Sequence, residues 1–209
     1  MDGKLSNQTQ KLLSEAEKAS IRAQDLTQQL LTFSKGGDPV KKTSSIYEII
    51  KDSANFILHG SSVSCQYEIA DDLLCAEIDT GQISQVIQNL ILNAKQAMPS
   101  GGIIKVSCVN TTSVPNSGLL PDNRPYIKID ITDQGVGIDK NIIDKIFDPY
   151  FSTKKDGSGL GLAIVHSIIA KHNGHISAHS ELGGGTVFTV FLPAVEAAET
   201  KVHLCFMTD

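Results

Sequence analysis

Apolar and small residues recur every seventh position from Leu5 through Leu12, Ala19 and Leu26 to Phe33. Thr9, Ala16, Ala23 and Leu30 fall four places after the first four of these. A seam of this kind predicts one continuous helix within Asp2 to Lys35, its seam over residues 5–35 being roughly 45 Å long at 1.5 Å per residue. Gly36-Gly37, with Pro39 just beyond, ends it. A helix with one apolar seam and a charged back needs a partner; it could pack on its own domain, but the strict seven-residue period favours dimerisation.

Beyond the two glycines the period mixes. Ser45 with Glu48 three places on forms a capping box for a helix carrying Ile46, Ile49, Ile50, Phe56 and Ile57 and ending near Gly60. Residues 63–69 and 74–78 read as a strand pair across Ala70-Asp71-Asp72. Asp79 opens a helix that runs to about Met98, and residues 103–109 and 126–132 are strands separated by a polar loop. Residues 139–158 carry little regular signal. An apolar helix over 160–172 closes at Asn173-Gly174, and strands at 175–180 and 186–192 flank Gly183-Gly184-Gly185. Strands cluster with few crossover helices, which predicts an α+β fold: a two-layer α/β sandwich whose mixed, mostly antiparallel sheet is covered by three helices.

Three places in this pattern carry chemistry. On the helix from Gln82 to Met98, Gln82, Asn89, Asn93 and Gln96 make a polar stripe beside the apolar face. Asparagine works against a helix, and two amide oxygens on one edge suit a hard cation beside substrate phosphates. The plainer alternative is a solvated flank. Along residues 126–132 the isoleucines 127, 129 and 131 share one face, and Asp133 keeps their parity. If the strand extends that far, a carboxylate stands on the core side and needs a donor, for which an adenine amino group qualifies. Gly135 and Gly137 allow backbone to approach the ring. The alternative is an Asx turn starting at Asp133. Finally, Gly157-Ser158-Gly159-Leu160-Gly161-Leu162 leads into a helix and places free N–H groups and a helix dipole where an anion would suit them, although by itself the string reads equally as a glycine-rich hinge before a core helix. The stretch before it is long for a structureless loop and reads as a lid, with Phe147, Tyr150 and Phe151 as anchors and Lys154 and Lys155 in reach of phosphate oxygens.

Charge and composition narrow the partners. A formal charge of -5 over 209 residues argues against nucleic acid. The cysteines at 65, 75, 108 and 205 are widely spaced, which favours reduced, buried thiols over disulfides or zinc. No apolar run approaches the ~20 residues of a membrane span, so a cytoplasmic region without direct membrane contact is expected. His172, His175 and His179 read as structural: the first ends a helix, where a cation suits the dipole, and the other two share a strand face.

Taken in order, Asn89-x-x-x-Asn93-Ala94, Asp133-x-Gly135-x-Gly137, Phe147-Asp-Pro-Tyr-Phe151 and Gly157-Ser-Gly-Leu-Gly-Leu162 resemble the four boxes of the ATP-binding domain of sensor histidine kinases, in the superfamily of gyrase, heat-shock chaperone and mismatch-repair ATPases. Residues 5–35 are similar to the second helix of the dimerisation and histidine-phosphotransfer domain in nitrogen-regulator-type and hybrid sensor kinases. The resemblance divides the chain into a dimerisation helix (1–37), a catalytic domain (38–194) and a tail (195–209). It implies ATP and Mg²⁺ as cofactors, with Asn93 on the metal, Asn89 near the phosphates, Asp133 on adenine, and Gly159 and Gly161 on phosphate. Gln96, Gly135, Gly137, Ile138, Phe147, Lys154, Gly157, Ser158, Leu160, Leu162 and Thr186 complete the expected nucleotide contacts. Related ATPases have a glutamate where this chain has Asn89; an amide is no base, so transfer to a histidine is favoured over hydrolysis.

Two departures stand out. Many members have a lysine three places after the second asparagine, where this chain has Gln96, with Lys95 turned away by helix geometry. The acceptor histidine of the first dimerisation helix is absent, so the chain is expected to begin after it and not to autophosphorylate alone. The expected activity is Mg-ATP-dependent phosphorylation of a histidine elsewhere, relayed to a response regulator receiver domain, with a homodimer formed through the N-terminal helix. The alternatives are an ATPase or protein serine kinase of the same superfamily, and a nucleotide-binding dimerisation module without activity.

Overall fold

The structure is a computed structural model that describes residues 38–112, 124–154 and 157–195, together with Gln8, Thr9, Leu12, Leu13, Ala16 and Glu17. The chain divides into two compact units, Met1–Gly37 and Asp38–Asp209. In the first, the six described residues are helical, and Leu12 and Leu13 are exposed. The rest of the seven-residue seam lies outside the described residues, as do the second lysine of the expected lid, Lys155, and the tail after Val195.

The second unit contains the helices α1 (Ile46–Leu58), α2 (Thr80–Ala97) and α3 (Gly161–Lys171). Its strands are β1 (Lys42–Ser44), β2 (Val63–Ile69), β3 (Cys75–Ile78), β4 (Gly102–Thr111), β5 (Tyr126–Asp133), β6 (His175–Glu181) and β7 (Gly185–Val195). The sheet order is β1-β3-β7-β5-β4-β2, with β6 hairpinned onto β7. Among the described strands only β2 and β4 run parallel; the other pairs are antiparallel. Period-2 apolar residues from the strands, such as Ile104, Val106, Ile129, Ile131, Phe188 and Val190, meet the apolar stripes of the helices, Ile50, Ile83, Leu90, Ile164 and Ile168 among them, in one core. This is the mixed α+β sandwich, three helices on a mostly antiparallel sheet, that the patterning predicts. Helix α2 lies between the other two and packs on both, so its polar edge is held rigidly.

Four expectations need correction. Strands β2 and β3 do not pair: β2 lies beside β4 at one edge, whereas β3 pairs with β1 and β7. Asn110, at the end of β4, explains the separation. Its Oδ1 accepts from Leu74 N–H at 3.0 Å and its Nδ2 donates to the Asp72 carbonyl at 2.7 Å, clamping the connection so that it passes across the sheet rather than closing a hairpin. Ser45 takes the N-cap position of α1 with extended backbone but makes no side-chain capping bond. Asp79, by contrast, accepts from Gln82 N–H at 3.1 Å and caps α2. Among the cysteines, Cys65 and Cys108 are free thiols, and burial near Asp130 pushes Cys108 up to about 12. Cys75 is disulfide-bonded. It stands half-buried at the start of β3, whereas Cys108 is fully buried in the core.

The fourth correction concerns His172. It is 2% exposed and stitches two helices: Nε2 accepts from Asp79 N–H at 3.0 Å, and Nδ1 donates to the Ile168 carbonyl at 2.8 Å. A ring that must accept a hydrogen bond is neutral. Burial accordingly lowers its pKa, and the expected dipole-stabilised cation is not formed.

Candidate functional site

Strand β5 extends through Asp133, which faces the core with Ile127, Ile129 and Ile131 and is 4% exposed. Its carboxylate is nevertheless supplied with donors. Gly135 N–H donates to Oδ1 at 2.8 Å, so the strand and the Asx-type turn coexist. Thr186, its register partner on β7, offers a second backbone N–H. Burial raises the Asp133 pKa, while these two N–H groups and the nearby Lys154 ammonium pull it back down. The site thus keeps a partly desolvated carboxylate that hydrogen-bonds strongly to any donor entering from solvent.

The glycines after Asp133 are packed, not loose. A Cβ on Gly135 would lie 2.5 Å from the Ala97 Cβ, and one on Gly137, where φ is +71°, would run into the Glu181 carbonyl. Val136 N–H donates to the Ala97 carbonyl at 3.3 Å, and Gly183 N–H donates to the Val136 carbonyl at 2.8 Å. The turn is therefore sewn to the end of α2 on one side and to the β6–β7 turn on the other. Ser180, which the pattern reading did not single out, closes this side. Its Oγ accepts from Ile138 N–H at 2.8 Å, donates to the Gly185 carbonyl at 2.7 Å and lies 3.0 Å from the Thr186 hydroxyl. The only hint in the sequence is its parity with Ile176 and Ala178 on an otherwise apolar strand face.

On the edge of α2, Asn93 and Gln96 meet through a residue from the far loop. Lys154 Nζ donates to Asn93 Oδ1 at 3.2 Å and, more closely, to Gln96 Oε1. Lys95 points elsewhere, onto the Ile57 carbonyl at the end of α1 at 2.8 Å, as helix geometry requires. Although Lys154 as a residue is exposed, desolvation around its ammonium lowers its pKa, opposed by the charge of Asp133. Two amide oxygens already converge on this stand-in cation, and such a donor set fits a hard divalent ion. Asn89, one turn earlier, lies against the start of α3: a Cβ on Gly161 would come within 3.3 Å of its Oδ1. The first polar residue of the stripe, Gln82, lies at the opposite end of the helix.

The glycine loop is held at its entry. Gly159 (φ +68°) leaves no room for a Cβ against the Tyr150 carbonyl, and its own carbonyl accepts from Tyr150 N–H at 2.9 Å. Tyr150 itself adopts φ +67° with its ring exposed. Leu160 N–H donates to Ser158 Oγ at 3.4 Å, Gly157 N–H donates to the Lys154 carbonyl at 3.1 Å, and Leu160 is fully buried. Phe147 and Leu162 pack on the core, Phe147 with its ring centroid 5.8 Å from that of His166 on α3. They are anchors of the loop. Asp133, Gly135, Thr186, Asn93, Gln96 and Lys154 are brought into one neighbourhood, with Asn89 and Gly161 adjoining it along α2.

Residues 78–196 match the family described as histidine kinase-, DNA gyrase B- and HSP90-like ATPases. The chain is 35% identical over 179 residues to the sensor kinase CckA of Brucella abortus, covering 82% of this chain and 19% of that protein. It is 37% identical over 146 residues to the sensor histidine kinase ZraS of Escherichia coli, covering 70% and 28% respectively. The chain thus spans between about a fifth and just over a quarter of the length of these relatives. Among solved structures, full-length ShkA in complex with AMPPNP superposes with a TM-score of 0.73 at 21% identity, over 96% of this chain and 42% of that one. The nucleotide-free catalytic domain of the histidine kinase ThkA gives 0.61 at 26%, over 74% and 95%.

Proposed function

The chain belongs to the histidine kinase-, DNA gyrase B- and HSP90-like ATPase family, and from that premise we propose that it is the catalytic region of a sensor histidine kinase, binding Mg-ATP and donating the γ-phosphoryl group to a histidine outside this chain. The observation that carries the reading is the buried Asp133 carboxylate, backed by Gly135 and Thr186 N–H groups at the end of β5. A carboxylate so placed accepts from the adenine amino group, and Gly135 and Gly137 bring backbone against the ring. Asn89 and the N–H groups around Gly159 and Gly161 face the phosphates, and Lys154 supplies positive charge. Asn93, with Gln96 beside it, holds the metal, which when bound neutralises phosphate charge. Asn89 is an amide and takes no proton from water, so positioning and charge neutralisation dominate and transfer is favoured over hydrolysis. Homodimerisation through the N-terminal helix and relay to a response regulator receiver domain complete the proposal.

Asp133→Ala should abolish ATP binding, with the circular dichroism spectrum of the fold retained; unchanged affinity would remove adenine from this pocket. Mixing the chain with a separate dimerisation fragment and γ-labelled ATP tests the transfer. Acid-labile label on that fragment supports the kinase, whereas steady phosphate release without label supports an ATPase.

A further inference from the structure

The departure at Gln96 and the contact made by Lys154 have a single explanation. Position 96 on helix α2 is an amide, and its neighbour Lys95 is engaged with the Ile57 carbonyl at 2.8 Å. Helix α2 therefore presents amide oxygens to the site, and none of its own cations. The cation arrives from the loop instead: the Lys154 ammonium spans Asn93 Oδ1, at 3.2 Å, and Gln96 Oε1, in the field of the Asp133 carboxylate.

We propose that Lys154 is an exchangeable counter-cation of the nucleotide site: without nucleotide it is clamped by Asn93 and Gln96, and on Mg-ATP binding it yields Asn93 to the metal and pairs with the polyphosphate. The inference rests on the nucleotide reading above. Its physical ground is that one amide oxygen cannot serve two cations well. A hard divalent ion needs its oxygen ligands at about 2.0–2.1 Å, and an ammonium on the same oxygen would then face the ion with no anion between them. A triphosphate removes the conflict, because its oxygens outcompete neutral amides for the ammonium. Gln96 acts here as a positioning residue that holds the ammonium beside the metal position and releases it sideways. Lys154 and the metal then compete in the empty site and act together on bound triphosphate.

The exchange is tested by measuring ATP affinity of the whole chain calorimetrically, with Mg²⁺ and with chelator, for wild type, Lys154→Met and the control Lys95→Met. Without metal, ammonium is the main phosphate cation, so Lys154→Met should weaken binding by about tenfold or more; with Mg²⁺ the loss should stay within about threefold, because relief of competition offsets the missing contact. The Mg²⁺ enhancement of affinity therefore rises in Lys154→Met and stays at the wild-type value in Lys95→Met. An unchanged or reduced enhancement in Lys154→Met overturns the exchange while leaving the nucleotide site standing. A wild-type chain that binds no ATP under either condition overturns the site reading and the exchange with it. The clamp in the empty state has its own readout. The Gln96 side-chain amide resonances of nucleotide-free protein should move in Lys154→Met, and a spectrum identical to wild type overturns the clamp.

Discussion

Gly135→Ala isolates the joint between helix α2 and the Asp133 turn, the proposed adenine side of the site. The added Cβ would lie 2.5 Å from the Ala97 Cβ, 2.7 Å from the Ala97 carbonyl oxygen and 2.8 Å from Asp133 Oδ1, whereas ordinary contact begins at 3.4 Å. The turn must retreat by about 1 Å, because the helix it meets is fixed by the core on its other side. That retreat stretches the Val136 N–H to Ala97 carbonyl bond, already 3.3 Å, beyond useful length and turns the Asp133 carboxylate away from Gly135 N–H. Overpacking of this kind costs about 1–3 kcal/mol and a lost hydrogen bond about 1, together roughly 2–4 kcal/mol. For a domain of this size each kcal/mol moves Tm by about 2–4 °C, so the variant should melt roughly 4–16 °C below wild type. Its ATP affinity should fall at least about tenfold, because a carboxylate displaced by an ångström loses most of a charged hydrogen bond. Gly60→Ala is the control, with φ +67° and nothing within 4 Å of the added atom. It should show only a backbone penalty of about 1–2 kcal/mol and bind ATP as wild type does. Thermal unfolding followed by circular dichroism, together with calorimetric titration of ATP, measures both quantities. A Gly135→Ala protein with wild-type Tm and affinity would refute the claim that this turn is tightly packed between α2 and Asp133.

Other outcomes follow from the same contacts. Ser180→Ala removes the acceptor of Ile138 N–H and the donor to the Gly185 carbonyl, so it should lower stability by about 1–3 kcal/mol in denaturant titration; an unchanged midpoint would mean that the Ser180 network is not stabilising. His172 is held neutral, its pKa lowered by burial from an ordinary 6.5. The unfolded chain therefore takes up the proton first as pH falls, and the stability contributed by the neutral ring is complete above 6.5 and lost below it. Tm should decline between about pH 7 and pH 5, and less steeply in His172→Gln, whose side chain can accept from Asp79 N–H without titrating; equal slopes would place the titrating group elsewhere.

What was legible in the chain was whatever local periodicity determines. The alternation of Ile127, Ile129 and Ile131 put Asp133 on the core side, and β5 does run through it because Thr186 and Gly135 supply the N–H groups that make a buried carboxylate tolerable. The polar edge of α2 was equally readable, since 3.6-residue geometry alone separates Asn89, Asn93 and Gln96 from Ile83, Leu90 and Ala94. The failures sit where a distant partner decides. Strand β1 has three residues, too few to show a period, and exists because β3 pairs with it. The connection after β2 looked like a hairpin turn until Asn110, 36 and 38 residues away from its partners, took both sides of it. His172 looked like a helix-ending cation because its neighbours in sequence favour one. Asp79 N–H, 93 residues distant, needs an acceptor and reverses the charge.

The same distinction separates the parts of the site. Asp133, the glycines and the α2 amides are each placed by an element whose register the core enforces, so they can be preorganised before ligand arrives. Lys154 is different: 58 and 61 residues separate it from Gln96 and Asn93, and it stands on an exposed loop position rather than on a core-packed element. A group held by two neutral amides is held weakly compared with what a polyphosphate offers it. On the proposed reading the rigid half of the site recognises the base and places the phosphates, and Lys154, bound to Asn93 and Gln96 by side-chain hydrogen bonds alone, is the group that changes partners. Preorganisation for binding and a movable charge for the phosphoryl group are compatible in one domain because they reside on different elements, β5 with α2 for the first and the loop before α3 for the second.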